Sequence, residues 1–199
     1  SLFMPVNRSV PDVAQKRKDW NGLISGFKAS DLVFLDGSGC NTDMTRRYAY
    51  SLGGSRAVDS APLSKPKSTT ILSSIQLDGT LRYTTFSGGT TVERFKRYLE
   101  TDLLPHLNGN SVLIMDDMKS HHAKAVRNLL DSSGVRYIYL PPYSPDLNPI
   151  EKLWSKVKAF LRKFKARTLD ALPNAIQNAF HSVTISDCSG WFRFCGYAL

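Results

Sequence analysis

The chain has 199 residues, which is about the length of one domain and leaves little for a second. Hydrophobic residues make up 42% of it and aromatic residues 11%, a content that excludes wholesale disorder. Because Lys and Arg outnumber Asp and Glu by 26 to 17, the net charge of +9 favours a polyanion such as nucleic acid as partner, or less often an anionic membrane.

The cysteines and the apolar segments narrow the class of protein further. Cys40, Cys188 and Cys195 contain no CxxC pair and form no disulfide framework, so we expect buried or idle thiols in a reducing cytoplasm. No apolar run approaches the roughly 18 residues that span a bilayer, and the N-terminal residues lack a signal-peptide pattern. We therefore expect no membrane partner.

The N-terminal part of the chain predicts a helix followed by a buried strand. Residues 1–30 are polar and carry the basic cluster Lys16-Arg17-Lys18 beside Trp20, which predicts an arm with a short helix. The apolar run at 32–35 predicts a buried strand, and the glycine-rich residues 36–39 predict the turn that stops it.

A long loop and a hairpin are predicted next. Residues 40–68 contain Gly, Ser, Pro and several charges, which predicts a short strand near 47–51 and then a long loop. Residues 69–76 and 80–86 are rich in β-forming residues and flank Asp78-Gly79, which predicts a two-stranded hairpin.

Helices and strands alternate in the rest of the chain. Thr90 or Thr91 is suited to cap a helix that runs to about Leu107, because apolar residues recur there at helical spacing. Later in the chain we predict strands at 112–115 and 135–140, helices at 123–131, 149–165, 168–181 and 186–194, and a rigid extended segment at 141–145. This order predicts an α/β fold whose sheet has mixed strand directions.

Two aspartates that follow buried apolar strands are the first candidates for a functional site. Asp36 and Asp116 each come directly after such a strand, and functional groups of open α/β sheets collect at that edge. If the two strands are neighbours, the carboxylates converge and repel each other unless a cation lies between them. Mg²⁺ is suited to this role because it prefers oxygen ligands. The alternative is that each aspartate only caps the turn that follows it.

Glu151 is the third candidate, and it also has a local explanation. Residues 148–151 (NPIE) have a capping residue, a first-turn proline and a glutamate, which is a capping-box pattern. The functional interpretation is that the proline-rich segment directs this helix at the two aspartates. At 3.6 residues per turn, Glu151 shares one stripe with Lys158, Arg162 and Lys165. Such a stripe suits a DNA backbone, although an ordinary solvated basic face is the alternative.

Several motifs together resemble one family. Residues 140–154 (LPPYSPDLNPIEKLW) resemble the segment around the third acid of mariner-superfamily transposases, especially their bacterial insertion-sequence-630 branch. The 34 residues between Asp116 and Glu151 are a characteristic interval of that superfamily. Further similarity lies at 88–91, at 112–121 and at 191–197. The resemblance as a whole runs from about residue 8 to the C-terminus.

The resemblance implies an RNase H-like (retroviral-integrase-like) fold, with a mixed five-stranded sheet flanked by helices. By position it implies that Asp36, Asp116 and Glu151 form a catalytic triad. These acids would bind two Mg²⁺ ions, for which Mn²⁺ can substitute, and Asp36 would bridge both. The implied reaction is cleavage and transfer of DNA strands in cut-and-paste transposition of an insertion sequence. Contacts to DNA are expected at Lys119, His121, Lys158, Arg162 and Lys165.

The same resemblance carries expectations about organisation and partners. Residues 31–199 would be the catalytic domain and residues 1–30 an arm or linker, and the N-terminal helix-turn-helix domain of such transposases is absent from this chain. The partners would be transposon ends and TA-containing target DNA, bound by a homodimer, with the loop at 40–68 contacting DNA or the second subunit. The location would be the bacterial cytoplasm, on the nucleoid.

Two positions depart from the family pattern and keep alternatives open. The family has Glu after its first Asp and Asn after its second, whereas this chain has Gly37 and Asp117. Neither change removes a metal ligand, but Asp117 adds a negative charge, so a catalytically impaired DNA-binding relic is one alternative. A ribonuclease H-type nuclease is the other, because residues 34–39 resemble the first-acid strand of that family.

His121 has two interpretations. It lies five residues after Asp116, where it would act near the scissile phosphate as a donor or proton carrier. It is equally suited to cap the helix that begins near Ala123.

Overall fold

A mixed sheet is the centre of the molecule in the computed structural model, which describes residues 11–40, 68–117, 121, 123–164 and 171–197. Within these residues the strands are β1 (Leu32–Cys40), β2 (Thr69–Ile75), β3 (Leu81–Ser87), β4 (Val112–Met115) and β5 (Arg136–Tyr139). The helices are α1 (Pro11–Ile24), α2 (Val92–Tyr98), α3 (Lys124–Ser133), α4 (Ile150–Phe164), α5 (Leu172–His181) and α6 (Ile185–Phe194).

The strand order is β3-β2-β1-β4-β5. β2 runs antiparallel to both β1 and β3, and β4 runs parallel to both β1 and β5. The prediction of a mixed five-stranded sheet is therefore confirmed. The predicted strand near 47–51 and almost all of the loop at 40–68 lie outside the described residues.

β1 is longer than the sequence predicted, and the predicted turn at 36–39 is wrong. β2 pairs with β1 as far as Cys40, with Asp36 opposite Ser73 and Gly37 opposite Leu72. This antiparallel partner keeps the two glycines of β1 extended, so Asp36 does not cap a turn.

The hairpin between β2 and β3 is confirmed. Gly79 lies at its turn with φ of 90°, a conformation that glycine adopts without strain. The Asp78 carboxylate accepts a hydrogen bond from the Thr80 backbone N–H at 2.9 Å, which fixes the turn locally.

Helices cover both faces of the sheet and bury two apolar cores. Leu32 and Phe34 of β1 pack on the side of α4, α5 and α6, whereas Val33 and Leu35 pack on the side of α2 and α3. Because side chains alternate along a strand, Asp36 shares a face with Phe34 and therefore points toward α4. The three cysteines are buried free thiols, as expected.

Several helix boundaries differ from the prediction. Thr91 caps α2 by accepting from the Arg94 N–H, but the helix changes to a π-helical turn at Leu99–Leu103 and a 3₁₀ turn at Leu104–His106. Pro105 lies in that last turn and lacks the N–H that a continuing α-helix needs. α5 begins at Leu172, later than the predicted start at Thr168, which lies outside the described residues. In the part of the chain that the structure describes, no helix is long and apolar enough to cross a membrane.

Candidate active site

Asp36 and Asp116 meet where the parallel pairing of β1 and β4 ends. Leu35 lies opposite Met115 in the last pair of that ladder, so the next residue on each strand is an aspartate. Asp36 is buried, and its pKa is raised to about 7, first by burial and then by the negative charge of Asp116. A hydrogen bond between the two carboxyl groups raises it further, while the Gly37 backbone N–H acts in the opposite direction. The two strands thus bring the first two candidates into contact.

Trp154 holds Asp36 from the opposite element. Its indole Nε1–H donates to Asp36 Oδ2 at 3.2 Å, and its ring is buried on α4 with an edge against Phe180. This contact was not predicted from the sequence, because Trp154 has the pattern of an apolar residue of an amphipathic helix. One signal was available: Trp154 lies one turn after Glu151, and a buried indole N–H needs an acceptor, which a nearby carboxylate can supply.

Glu151 lies near the two aspartates on the first turn of α4. Its pKa is raised, first by desolvation and also by the charge of Asp116, while the positive charge of Lys158 lowers it. The capping-box explanation is wrong, because the Asn148 backbone N–H donates to the Pro145 carbonyl instead. Asn148 does cap α4, since its Oδ1 accepts from the Ile150 N–H at 3.3 Å. The Glu151 carboxylate is therefore available for another role.

His121 contacts Asp116. Its Nδ1 lies 2.7 Å from Asp116 Oδ1, and its buried ring stacks on Phe95 with centroids 4.3 Å apart. The Tyr139 hydroxyl donates to the His121 carbonyl at 2.8 Å, which fixes the backbone as well. The helix-capping interpretation is wrong, because Ala123 occupies the cap position of α3 and the imidazole faces the acids.

The other predicted residues lie at differing distances from the acids. Burial raises the pKa values of Glu151 and Cys40, and the positive charge of Lys158 opposes both shifts, so Lys158 lies near both groups. Its place near Glu151 agrees with the predicted helical stripe. Arg162 lies one turn beyond Lys158 on α4. Lys119 and Lys165 lie outside the described residues.

The two departures from the family pattern lie on either side of the acids. Gly37 lines a cavity of about 150 Å³ together with Thr90 and His121, and a Cβ on Gly37 would lie 2.9 Å from Leu72 Cδ2. Asp117 lines a different cavity of about 330 Å³, between α1 and Pro141. The charges that raise the pKa of Asp36 are those of Asp116 and Glu151, so Asp117 adds little to the repulsion at the acids.

The acids have the chemistry of a divalent-cation site. Their donors are carboxylate oxygens, which suit Mg²⁺ or Mn²⁺ rather than metals that prefer thiolate. Within the described ranges, no three His, Cys, Asp or Glu side chains already form a coordination shell. The mutual raising of carboxyl pKa values is the electrostatic cost that a cation would remove.

Comparisons with known proteins agree with this arrangement. Residues 31–173 match a family described as DDE superfamily endonuclease. The transposable element Tc1 transposase of Caenorhabditis elegans is 29% identical over 97 residues, which cover 47% of this chain and 36% of that protein.

Solved structures of Mos1 transposase have the same fold. A paired-end complex with the left transposon end has a TM-score of 0.74 at 18% identity, covering 97% of this chain and 61% of that one. The catalytic domain of Mos1 mariner transposase has a TM-score of 0.71 at 15% identity, covering 96% and 91%. The predicted RNase H-like fold is therefore confirmed, and the chain spans less than two thirds of Tc1 transposase and of the Mos1 chain in the paired-end complex.

Proposed function

This chain belongs to the DDE superfamily endonucleases, and from that premise we propose that it is the catalytic domain of a mariner-type transposase that cleaves and joins DNA strands. What supports the proposal is that Asp36 and Asp116 come together where the β1–β4 ladder ends, and that Glu151 is close enough for its charge to raise the pKa of Asp36 while its own pKa is raised too. Acids that raise each other's pKa at a sheet edge are typical of a functional site rather than of a stabilising one.

The three acids are the proposed ligands of two Mg²⁺ ions, with Asp36 as the shared ligand. Mos1 paired-end complexes have been solved with Mg and with Mn, which supports a divalent metal here. When bound, such ions would activate water or a DNA 3′-hydroxyl and stabilise the leaving oxygen.

The chain's own side chains orient these ligands. The Trp154 indole donates to one oxygen of Asp36, and the carboxyl group also contacts Asp116. The His121 imidazole donates from Nδ1 to Asp116 and so fixes the rotation of that carboxylate. Because both contacts restrict the carboxylates before a cation binds, less side-chain entropy is lost on binding.

The substrate in this proposal is DNA. Lys158 and Arg162 continue the line of Glu151 along α4 and would hold phosphates of the backbone next to the acids. The net charge of +9 supports a polyanionic partner. Several expectations stay predictions. They are the contacts from Lys119 and Lys165, a homodimer on DNA, insertion at TA, the role of the loop at 40–68, the division at residue 31 and a nucleoid location.

The two alternatives have less support. A ribonuclease H has the same fold, but the matched family and relatives are a DDE endonuclease and transposases. The relic hypothesis relied on Gly37 and Asp117, and the Asp117 side chain lines a cavity whose lining does not include the three acids.

Cleavage of DNA tests the proposal. We expect the wild-type chain with Mn²⁺ to nick supercoiled plasmid, and Asp36→Asn to reduce the rate by roughly 10²–10³-fold or more. Asp117→Asn is the matched control, because it removes a neighbouring carboxylate outside the triad, and it should cleave at least as fast as wild type. Faster cleavage of an RNA–DNA hybrid would favour the ribonuclease, and DNA binding with neither Mn²⁺ binding nor cleavage would favour the relic.

A further inference from the structure

Arg17 of the N-terminal basic cluster faces the protein rather than solvent. Its guanidinium Nη2 lies 2.7 Å from Asp146 Oδ2, and its Nη1 donates to Asp146 Oδ1 at 3.2 Å and to Ser144 Oγ at 2.9 Å. The pair is bidentate and partly buried, with the side chains 26% and 38% exposed, which makes it stronger than an ordinary surface ion pair. This contact joins α1 to the proline-rich segment before α4.

The turn that Arg17 contacts is held at both of its ends. Ser144 is buried, and its hydroxyl also donates to the Pro142 carbonyl at 3.1 Å. At the other end, the Leu147 carbonyl accepts a hydrogen bond from the Tyr197 hydroxyl. The 3₁₀ turn Pro145–Leu147 is therefore gripped by α1 on one side and by a residue that follows α6 on the other.

This turn sets the start of α4. Asn148 follows it directly and caps the helix, and Glu151 lies on the first helical turn. The Asn148 N–H donates to the Pro145 carbonyl, so a shift of the 3₁₀ turn moves the cap and with it the Glu151 carboxylate. Trp20, one turn after Arg17 on α1, is buried in the same apolar core as Ile150. The helix that carries Arg17 is thus fixed independently of the pair with Asp146.

We propose that Arg17 is a positioning residue for Glu151, acting through Asp146 and the turn Pro145–Leu147. In this proposal the catalytic unit includes α1, in place of the division predicted at residue 31. The catalytic consequence rests on the proposed function, whereas the ordering of Glu151 does not.

Arg17→Ala is the test variant, and Lys18→Ala is the matched control. Lys18 is an exposed neighbour on the same helix and lacks any hydrogen bond or ion pair to the described part of the chain, so its replacement removes the same charge without touching the turn. Arg17→Lys keeps the positive charge but cannot donate from two nitrogens to the Asp146 carboxylate, and Asp146→Asn removes the negative charge of the partner. All four variants are measured as folded proteins, with their melting temperatures recorded.

The first readout is hydrogen exchange at residues 147–151, which requires no activity. We expect Arg17→Ala to exchange there roughly 10- to 100-fold faster, the range for losing charge-assisted hydrogen bonds, while exchange in β1 stays unchanged. Arg17→Lys should recover part of the protection. Lys18→Ala should match wild type.

The second readout separates positioning from plain stability. Mn²⁺ binding, followed by electron paramagnetic resonance of the free ion, should weaken about tenfold in Arg17→Ala. The nicking kcat should fall by a similar factor, with KM for DNA unchanged. A variant that exchanges faster yet binds Mn²⁺ like wild type would overturn the proposal, as would unchanged exchange. If wild type cleaves no DNA, the proposed function fails, and the exchange and Mn²⁺ results still decide the role of Arg17.

Discussion

Replacing Asp36 by Asn should stabilise the metal-free protein at alkaline pH. Asn has the same shape and keeps an acceptor for the Trp154 indole, but it removes one buried charge from a site with three acids. The pKa of Asp36 rises from 3.8 to about 7, first through burial and then through the charge of Asp116. At 1.36 kcal/mol per pH unit, the ionised carboxylate costs the folded state at most about 4 kcal/mol above pH 7.

The direction of the pH dependence follows from the same values. Between the unfolded pKa of 3.8 and the folded pKa of about 7, the folded state binds the proton more tightly. Metal-free wild type therefore loses stability as pH rises through this window, and the loss is complete above pH 7. The Asp36→Asn variant lacks the part of this dependence that comes from Asp36, so the two proteins differ most at pH 8 and least near pH 4.

Thermal unfolding in EDTA measures this difference. If about 1–4 kcal/mol is recovered, the Asp36→Asn variant should melt roughly 2–12 °C above wild type at pH 8. Adding Mg²⁺ should raise the melting temperature of wild type and leave the variant nearly unchanged. Asp117→Asn, at an exposed neighbouring position, should shift stability by less than about 0.5 kcal/mol. A variant that is less stable than wild type at pH 8 in EDTA would refute the electrostatic reasoning.

Two further predictions concern the support of the site and of the fold. Trp154→Phe removes the indole donor and should weaken Mn²⁺ binding. It should also cost about 1–2 kcal/mol of folding free energy in chemical denaturation. An unchanged Mn²⁺ affinity would show that the Asp36 contact is dispensable. Gly134→Ala should lower the free energy of unfolding by about 1 kcal/mol, because Gly134 is the C-cap of α3 and has a φ of 72°. Gly109→Ala is the control and should be nearly neutral, because Gly109 also has open space around its Cα but has no positive φ. Equal effects of the two substitutions would contradict this account.

The sequence predicted the elements whose signals are local. The hairpin follows from β-forming runs around Asp78-Gly79, and the start of α2 follows from Thr91. The length of β1 was missed because residues 36–39 resemble a turn until β2, about 30 residues later, supplies its hydrogen bonds. Local composition does not carry that pairing.

The candidate site was predicted to a similar degree and for the same reason. Asp36 and Asp116 were proposed because both follow short apolar runs, and Glu151 because of the resemblance around it. The supports were missed: nothing local connects the Trp154 indole with Asp36 or the Arg17 fork with Asp146. The sequence also left two roles open for His121: the structure contradicts helix capping, and a role near the phosphate stays a prediction that its contact with Asp116 supports.

The contacts that shape this site have very large sequence separations. Trp154 and Asp36 are 118 residues apart, and Arg17 and Asp146 are 129 apart. During synthesis, β1 therefore leaves the ribosome long before α4, so Asp36 is present before the Trp154 indole that donates to it. Because these contacts join distant parts of the chain, the site is complete only when β1, α1 and α4 have all reached their native positions. A nascent, nicked or half-unfolded chain would lack this arrangement, so the DNA cleavage that we propose would require the complete native topology.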